Sequence, residues 1–171
     1  REAGVDAFIT KPLFRSRLVT MLRNIIKGKP GRSATKYLSG ISKSDYSGQR
    51  ILLVEDNELN REIAKEIIEM TGAIVDTAEN GKEAVEKVMD MSDDYYRLVF
   101  MDIQMPVMNG YEAAAAIRGL DDKKKASIPI VAMTANAFAE DIMLAKNAGM
   151  NEHMAKPLDI NKLNETLRKW L

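Results

Sequence analysis

The chain has 171 residues, of which 46% are hydrophobic and 29% are charged, so it can form one full domain with additional segments, whereas a second full domain would be cramped. Its 25 basic and 25 acidic residues cancel, which removes the electrostatic case for nucleic acid or an anionic membrane as the main partner. Because the chain has no cysteine, disulfides and thiolate metal sites are excluded.

Targeting signals are not apparent in the sequence. No apolar run approaches the roughly 20 residues that span a bilayer, and no signal peptide pattern opens the chain. The chain begins at Arg1 without an initiator methionine. We therefore expect a cytoplasmic fragment that makes no direct membrane contact, cut from a longer parent that can itself be membrane-anchored.

The first 28 residues contain an amphipathic helical pattern. Between residues 13 and 26 the apolar side chains recur on one helical face, and Arg and Lys occupy other positions. Residues 3–22 also align without a gap on residues 148–167, sharing an Ala-Gly pair and a Lys-Pro-Leu triplet. This partial internal repeat indicates that a strand and helix occur twice in the chain. Residues 29–49, rich in Gly, Ser and Lys, are predicted to form a linker.

From residue 50 onward, short apolar runs alternate with helical patterns. The first run, RILLVED, is rich in β-branched and aliphatic residues and suits a strand buried on both faces. The predicted strands cover residues 50–56, 73–78, 97–102, 128–135 and 152–156, and the predicted helices cover residues 57–72, 81–91, 110–120, 138–149 and 159–171. Five strand–helix units with short connections predict an α/β fold with a parallel sheet covered by helices on both faces.

Polar side chains stand where the predicted strands end. In chain order these are Glu55, Asp56, Asp102, Thr134 and Lys156. Ligands of parallel α/β sheets bind beyond the carboxyl ends of the strands, and three carboxylates gathered there repel one another unless a cation joins them. Hard oxygen ligands suit Mg²⁺. The set therefore predicts a magnesium site at which Asp102 attacks a phosphoryl group and becomes an aspartyl phosphate, with the lysine and the hydroxyl holding phosphoryl oxygens.

Each of these residues also has a simpler interpretation. Asp56 or Asn57 could cap the first helix, and Asp102 could form the turn that leads to Pro106. Lys156 could be a solvated strand end. These roles give no reason for all the groups to meet at one edge, so the functional interpretation is favoured.

Four motifs, LLVEDN, VFMDIQMPVMNGYEA, VAMTANA and HMAKPLD, occur in this order between residues 52 and 159. They resemble the receiver domain of two-component response regulators, of the type fused to hybrid sensor histidine kinases, and the resemblance covers about residues 50–171. It implies a flavodoxin-like (βα)5 three-layer sandwich whose five-stranded parallel sheet has the order 2-1-3-4-5.

The resemblance also implies roles for the acidic residues. Asp102 would be the phosphoacceptor, and Glu55 with Asp56 would form the acidic pair that binds Mg²⁺, with Mn²⁺ as an alternative ion. The backbone carbonyl of Gln104 would be the remaining protein ligand of the metal.

Other roles implied by the resemblance concern the conformational switch. Thr134 would be the switch hydroxyl, Lys156 would bind the phosphoryl group, and Pro157 would follow a cis peptide bond. His153 stands three residues before the lysine, where many receivers carry a Tyr or Phe switch residue. This departure weakens the expected aromatic switch without removing it.

The resemblance predicts a phosphorelay function. Asp102 would take a phosphoryl group from a phosphohistidine of a histidine kinase or a histidine phosphotransfer domain, and the new charge would shift an equilibrium between two surfaces. The chain contains no kinase catalytic core, so its own chemistry would be limited to the transfer onto Asp102 and the hydrolysis of that phosphate. Residues 1–28 would be the remnant of a preceding receiver, and their apolar face would dock on the receiver domain of residues 50–171 or on a second chain in a dimer.

Two other functions fit parts of the pattern. A degenerate receiver would act as an interaction module independent of phosphorylation. A phosphatase of the haloacid dehalogenase type also uses a strand-end aspartate with Mg²⁺, but it needs a second acid two residues later, and Gln104 occupies that position.

Overall fold

The computed structural model describes residues 46–135, 139–156 and 158–171. The strands are β1 (Arg50–Val54), β2 (Ile74–Ala78), β3 (Leu98–Asp102), β4 (Ile130–Thr134) and β5 (Glu152–Ala155). The helices are α1 (Glu58–Glu69), α2 (Gly81–Asp90), α3 (Gly110–Arg118), α4 (Lys123–Ala126), α5 (Ala139–Asn147) and α6 (Ile160–Trp170). The predictions for residues 1–28, for most of the linker and for the peptide bond at Pro157 lie outside the described residues.

The five strands form one parallel sheet in the order β2-β1-β3-β4-β5. This confirms the predicted fold class and strand order. Since β1 and β3 are central neighbours, with Val54 opposite Met101, the residues that follow β1 lie next to the end of β3. The strand order thus brings together two chain segments that are almost fifty residues apart in sequence.

Alternating side chains of each strand bury themselves on opposite faces of the sheet. Ile51 and Leu53 of β1 join an apolar cluster with residues of α1 and α6. Leu52 and Val54 join a second cluster with residues of α2, α3 and α5. Two helical layers therefore enclose the sheet, as in the predicted three-layer sandwich.

Side-chain caps begin several of the helices. The Asn57 side chain accepts a hydrogen bond from the Asn60 amide at the start of α1. Asn109 and Glu112 form a reciprocal capping box at the start of α3. Because Asn57 fills the cap of α1, Asp56 is not needed there, which removes the simpler interpretation of that carboxylate.

The structure differs from the sequence prediction in two local features. A single helical turn, α4, lies between α3 and β4 and starts after Asp122, whose side chain caps it. In α1, the helical pattern places Ile63 and Ile67 on one apolar face, but both are only half-buried, while the most buried positions are Arg61, Ala64 and Ile68. The rotation of α1 on the sheet thus leaves an apolar strip accessible and buries an arginine.

Candidate functional site

Asp102 lies at the bottom of a cleft above the carboxyl ends of the strands. It is the last residue of β3, at the centre of the sheet, and only 5% of its surface is exposed. The loop after it returns so closely that a Cβ atom at Gly110 would collide with the Asp102 carbonyl oxygen. Glycine at the start of α3 therefore lets the loop fold tightly around the aspartate.

Three carboxylates meet at this point. Oxygens of Glu55, Asp56 and Asp102 all lie within 4.8 Å of one another. Glu55 is buried and Asp56 is exposed, so the cluster combines two enclosed oxygen ligands with one that faces solvent. An all-oxygen set with access to water fits Mg²⁺, which keeps several of its water ligands in proteins.

Lys156 joins two of these carboxylates. Its Nζ lies 2.5 Å from Oε2 of Glu55 and 2.6 Å from Oδ2 of Asp102. The lysine follows β5 directly, and its backbone amide donates a hydrogen bond to the carbonyl oxygen of Thr134 at 2.8 Å. One cation therefore compensates two buried anions in the cleft.

Burial and pairing oppose each other in setting the pKa values of this cluster. Burial raises the pKa of the Asp102 carboxyl above its ordinary value, and Lys156 opposes this rise without cancelling it, while the charge of Glu55 adds to it. Burial alone would lower the pKa of the Lys156 ammonium, but its hydrogen bonds to Asp102 and Glu55 prevail and raise that pKa. The Lys156 side chain therefore remains positively charged at neutral pH.

The cleft has a volume of about 250 Å³. It is lined by polar groups from the ends of the strands and from the start of α1 and α5, together with two apolar residues, Ile103 and Ala135. The lining residues are Glu55, Asp56, Asn57, Asn60, Asp102, Ile103, Gln104, Thr134, Ala135, Asp141 and Lys156. All the residues expected to bind metal or phosphate thus meet in one cleft.

Comparison with known proteins identifies the domain. The sequence profile described as the response regulator receiver domain matches residues 51–168. The chain belongs to this family. Among relatives, a 123-residue stretch is 42% identical to the two-component response regulator ORR41 of Oryza sativa subsp. japonica, covering 71% of this chain and 93% of that protein. A 124-residue stretch is 36% identical to the hybrid signal transduction histidine kinase L of Dictyostelium discoideum, covering 71% of this chain and only 7% of that kinase.

Solved receiver domains share the fold. The receiver domain of the sensor histidine kinase PA1611 from Pseudomonas aeruginosa PAO1, which has a magnesium ion coordinated in its active site cleft, is 35% identical with a TM-score of 0.65, covering 72% of this chain and 98% of that one. The receiver domain of Ssk1 from Saccharomyces cerevisiae, crystallised with the histidine phosphotransfer protein Ypd1, is 32% identical with a TM-score of 0.63, covering 71% of this chain and 88% of that one.

One predicted site residue, His153, is not among the residues that line the cleft of this receiver. His153 lies in β5 opposite Ala132 and is half-buried. Since neighbouring Met154 packs on the side of α1 and α6, the alternation along β5 directs His153 toward the other helical layer. Pro157 lies outside the described residues. In the part of the chain that the structure describes, no helix has the length and apolar character needed to cross a membrane.

The sequence analysis missed three polar residues around the site. Asn60 donates a hydrogen bond from Nδ2 to Oε1 of Glu55 at 3.1 Å, Asp141 of α5 lines the cleft, and Arg61 binds backbone carbonyls of the acidic segment. A signal for Arg61 was present, because positions 61, 64 and 68 have the spacing of one helical face. The spacing alone does not distinguish this face from the one through Ile63 and Ile67, so it did not assign Arg61 to the buried side of the helix.

An apolar groove adjoins the cleft. Its apolar walls come from α1, β4 and the segment after β5, and four residues line both groove and cleft. The groove residues are Glu55, Asn60, Ile63, Ala64, Ile67, Met133, Ala135, Lys156 and Leu158. A partner lying in this groove would therefore reach directly toward Asp102.

Proposed function

We propose that this receiver domain accepts a phosphoryl group on Asp102. The observation that carries the proposal is the position of this carboxylate, which ends the central strand, contacts Lys156 and lies beside Glu55 and Asp56. A buried aspartate that needed only to form a turn would gain nothing from a cation and two further carboxylates around it.

The metal ligands follow from the same cluster. The side chains of Glu55, Asp56 and Asp102 and the backbone carbonyl of Gln104 would hold Mg²⁺, and Mn²⁺ has the same preference for oxygen ligands. When bound, the ion supplies positive charge that neutralises the carboxylates and the phosphoryl oxygens. The pocket of oxygen atoms, one of them exposed, supports this assignment.

The reaction is a transfer between two side chains. An Oδ atom of Asp102 attacks phosphorus and a P–O bond forms as the P–N bond to the donor imidazole breaks. The imidazole, protonated on its other ring nitrogen, keeps the electron pair and leaves as a neutral histidine, and Asp102 becomes an aspartyl phosphate. The Lys156 ammonium is already beside the reacting oxygen, so it can donate to a phosphoryl oxygen without a large movement. Thr134, at the end of the neighbouring strand β4, offers a hydroxyl to the same group.

The response to phosphorylation begins at Thr134. A new hydrogen bond to the phosphoryl group draws this residue toward Asp102, and with it the end of β4 and the start of α5. His153 lies on the neighbouring strand β5, where its side chain adjusts to the same movement. We assign the cis peptide of the family to the bond before Pro157.

The phosphodonor is proposed to be a histidine kinase or a histidine phosphotransfer domain. The apolar groove beside the cleft offers Ile63 and Ile67 to a partner helix, and a donor histidine on that helix would point toward Asp102. The Ssk1 receiver domain binds the phosphotransfer protein Ypd1, which supports a partner of this class.

We also propose that the chain is part of a hybrid sensor histidine kinase. In this arrangement residues 1–28 are the remnant of a preceding receiver, residues 29–49 are a linker and residues 50–171 are the receiver domain. The apolar face of residues 13–26 docks on a receiver surface, either that of its own domain or that of a second chain in a dimer. The many-fold greater length of the kinase from Dictyostelium discoideum supports a longer parent.

Mass spectrometry tests the central proposal. Incubated with MgCl₂ and acetyl phosphate, the protein should gain one phosphoryl group, and Asp102→Asn should gain none. Asp121→Asn, which changes an exposed aspartate in the loop before α4, is the matched control and should gain one group. Equal uptake by Asp102→Asn and the unchanged protein would overturn the assignment.

A further inference from the structure

Arg61 reaches from α1 into the segment that carries the acidic pair. Its NH1 donates to the carbonyl oxygen of Glu55 at 2.7 Å and to that of Asp56 at 3.2 Å. Its NH2 lies 2.8 Å from Oε1 of Glu79. Only 11% of the arginine side chain is exposed, so this guanidinium is enclosed and has well-defined partners.

The carbonyl groups that Arg61 binds belong to the point where the chain leaves the sheet. The ladder of β1 ends at Val54. The Glu55 amide still donates to the Ala78 carbonyl oxygen at 3.0 Å, whereas the carbonyls of Glu55 and Asp56 accept from the arginine. Two consecutive peptide groups are thereby oriented by one side chain, and their orientation determines where the two carboxylates point.

Glu79 binds the second terminal nitrogen of the guanidinium, and its own backbone is held by a further hydrogen bond. Its backbone amide donates to Oε2 of Glu83 at 2.8 Å. Glu83 forms an ion pair with Lys87 at 2.8 Å, and Lys87 donates to the carbonyl oxygen of Thr77. The arginine therefore connects the acidic segment after β1 to a fixed turn after β2.

From these contacts we propose that Arg61 is a positioning residue for the metal site, aligning the carboxylates of Glu55 and Asp56 through their backbone. The inference rests on the proposed function, since it concerns the Mg²⁺ ligands assigned there. A planar guanidinium can donate hydrogen bonds to two carbonyls and a carboxylate at once. A lysine carries all its donors on one ammonium nitrogen and therefore cannot reproduce this arrangement. Groups that orient metal ligands typically change metal affinity by 10-fold to 100-fold when they are removed.

The experiment is a titration of the ¹⁵N-labelled full chain with MgCl₂, followed by ¹H–¹⁵N NMR spectra, which report the Mg²⁺ dissociation constant and the integrity of the fold in the same samples. Arg61→Lys should raise the dissociation constant by about tenfold, and Arg61→Met, which has no donors, should raise it further. Glu79→Gln weakens the anchor and leaves the carbonyl contacts. Because the Glu79 side chain is 67% exposed, its ion pair with Arg61 is of modest strength, and the variant should raise the dissociation constant by only about threefold.

Arg50→Lys is the matched control. Arg50 is the first residue of β1 and binds the two oxygens of Asp76 at 3.0 and 3.2 Å, but it stands at the opposite end of the strand from the cleft. Arg50→Lys should keep the Mg²⁺ affinity of the unchanged protein. A fall in affinity equal to that of Arg61→Lys would show a general loss of stability and would overturn the positioning role.

The remaining outcomes separate this inference from the function on which it rests. If Asp56→Ala loses Mg²⁺ affinity while folded Arg61→Lys keeps it, the positioning role falls and the metal site stands. If Asp56→Ala binds Mg²⁺ like the unchanged protein, the metal site itself is wrongly assigned. Should the Arg61 variants fail to give folded spectra, Glu79→Gln decides, and an unchanged dissociation constant there would overturn the inference.

Discussion

Lys156 and Asp102 form an ion pair in the site, with 2.6 Å between Nζ and Oδ2. The same ammonium contacts Glu55, and both carboxylates have side chains less than one-tenth exposed. Burial of an unpaired charge is costly, whereas a shared cation offsets much of that cost. The stability of the domain and the chemistry of the cleft therefore depend on the same three groups.

Removing the lysine should destabilise the domain. Lys156→Met leaves two buried carboxylates without their cation, and we expect the free energy of unfolding to fall by about 2–3 kcal/mol, below the 3–5 kcal/mol typical of a broken buried pair because the lysine is one-fifth exposed. MgCl₂ should restore part of the loss, since a bound cation replaces the missing charge. Urea unfolding with EDTA or MgCl₂ measures both effects.

A surface lysine is the control for this measurement. Lys162 also pairs with two glutamates, Glu152 and Glu165, but it is 45% exposed, and exposed ion pairs contribute little. Lys162→Met should cost less than about 1 kcal/mol. Equal losses in the two variants would contradict the dependence on Lys156.

Neutralising Asp102 should stabilise the domain in a pH-dependent manner. Because the folded-state pKa of this carboxyl is raised, the folded state binds its proton more tightly than the unfolded chain. This contribution to stability is present below the unfolded pKa of about 3.9 and is lost as the pH rises through the folded-state pKa. Asp102→Asn has no carboxyl group to deprotonate, so it does not lose this contribution. The amount by which its thermal midpoint exceeds that of the unchanged protein should therefore grow with rising pH and then remain constant.

The pH series is measured with EDTA present, so that no metal stabilises the carboxylate. Asp121→Asn provides the control at an exposed position, and its difference from the unchanged protein should not follow the same pH dependence. An advantage of Asp102→Asn that shrinks as the pH rises would contradict the raised pKa.

A substitution in the apolar groove should slow phosphoryl transfer from a protein donor but not from a small-molecule donor. Ile63→Glu places a charge where a partner helix is expected to pack, and we expect phosphoryl transfer from a phosphorylated histidine phosphotransfer protein to slow by at least about tenfold, as for loss of a well-packed interface residue. Uptake from acetyl phosphate should remain unchanged. Ile74→Glu, at an apolar position of β2 that is 41% exposed, should leave both rates unchanged.

The comparison of the two donors shows whether the substitution affects docking of the protein donor or the phosphorylation site. If Ile63→Glu slows phosphorylation by acetyl phosphate as much as phosphoryl transfer from the protein donor, the substitution has disturbed the phosphorylation site itself. If it slows neither, the donor docks elsewhere.

Val107 occupies an unfavourable backbone conformation in the loop between Asp102 and α3. Its φ is 68°, the Met108 amide donates to the Pro106 carbonyl oxygen at 2.8 Å, and the valine is 79% exposed. These features form a γ-turn that β-branched residues rarely adopt. Val107→Gly should raise the free energy of unfolding by about 0.5–1 kcal/mol, because relief of about 1–2 kcal/mol of strain exceeds the entropic cost of glycine.

Val107→Ala is the matched variant in urea unfolding. It removes the same exposed branches but keeps a Cβ atom, so most of the strain should remain. Stabilisation by alanine equal to that by glycine would show that exposed apolar surface, rather than backbone conformation, explains the gain.

The sequence by itself determined the fold and most of the site. The alternation of apolar runs and amphipathic segments specifies parallel strands joined by helices, and any such sheet brings its strand ends to one edge. Asp102, Thr134 and Lys156 could therefore be assigned to one cleft from the sequence alone, and the structure brings them together there. The four motifs added the strand order, which periodicity does not contain.

Only the tertiary structure decided which partners these residues have. Periodicity describes one element at a time, so it did not show how α1 is rotated on the sheet, and that rotation buries Arg61 and leaves Ile63 in an open groove. Likewise, Lys156 could reach either of two carboxylates, and it contacts both because β1 and β3 are neighbours. Contacts between segments far apart in sequence depend on packing and distance, which the pattern of a single chain segment does not encode.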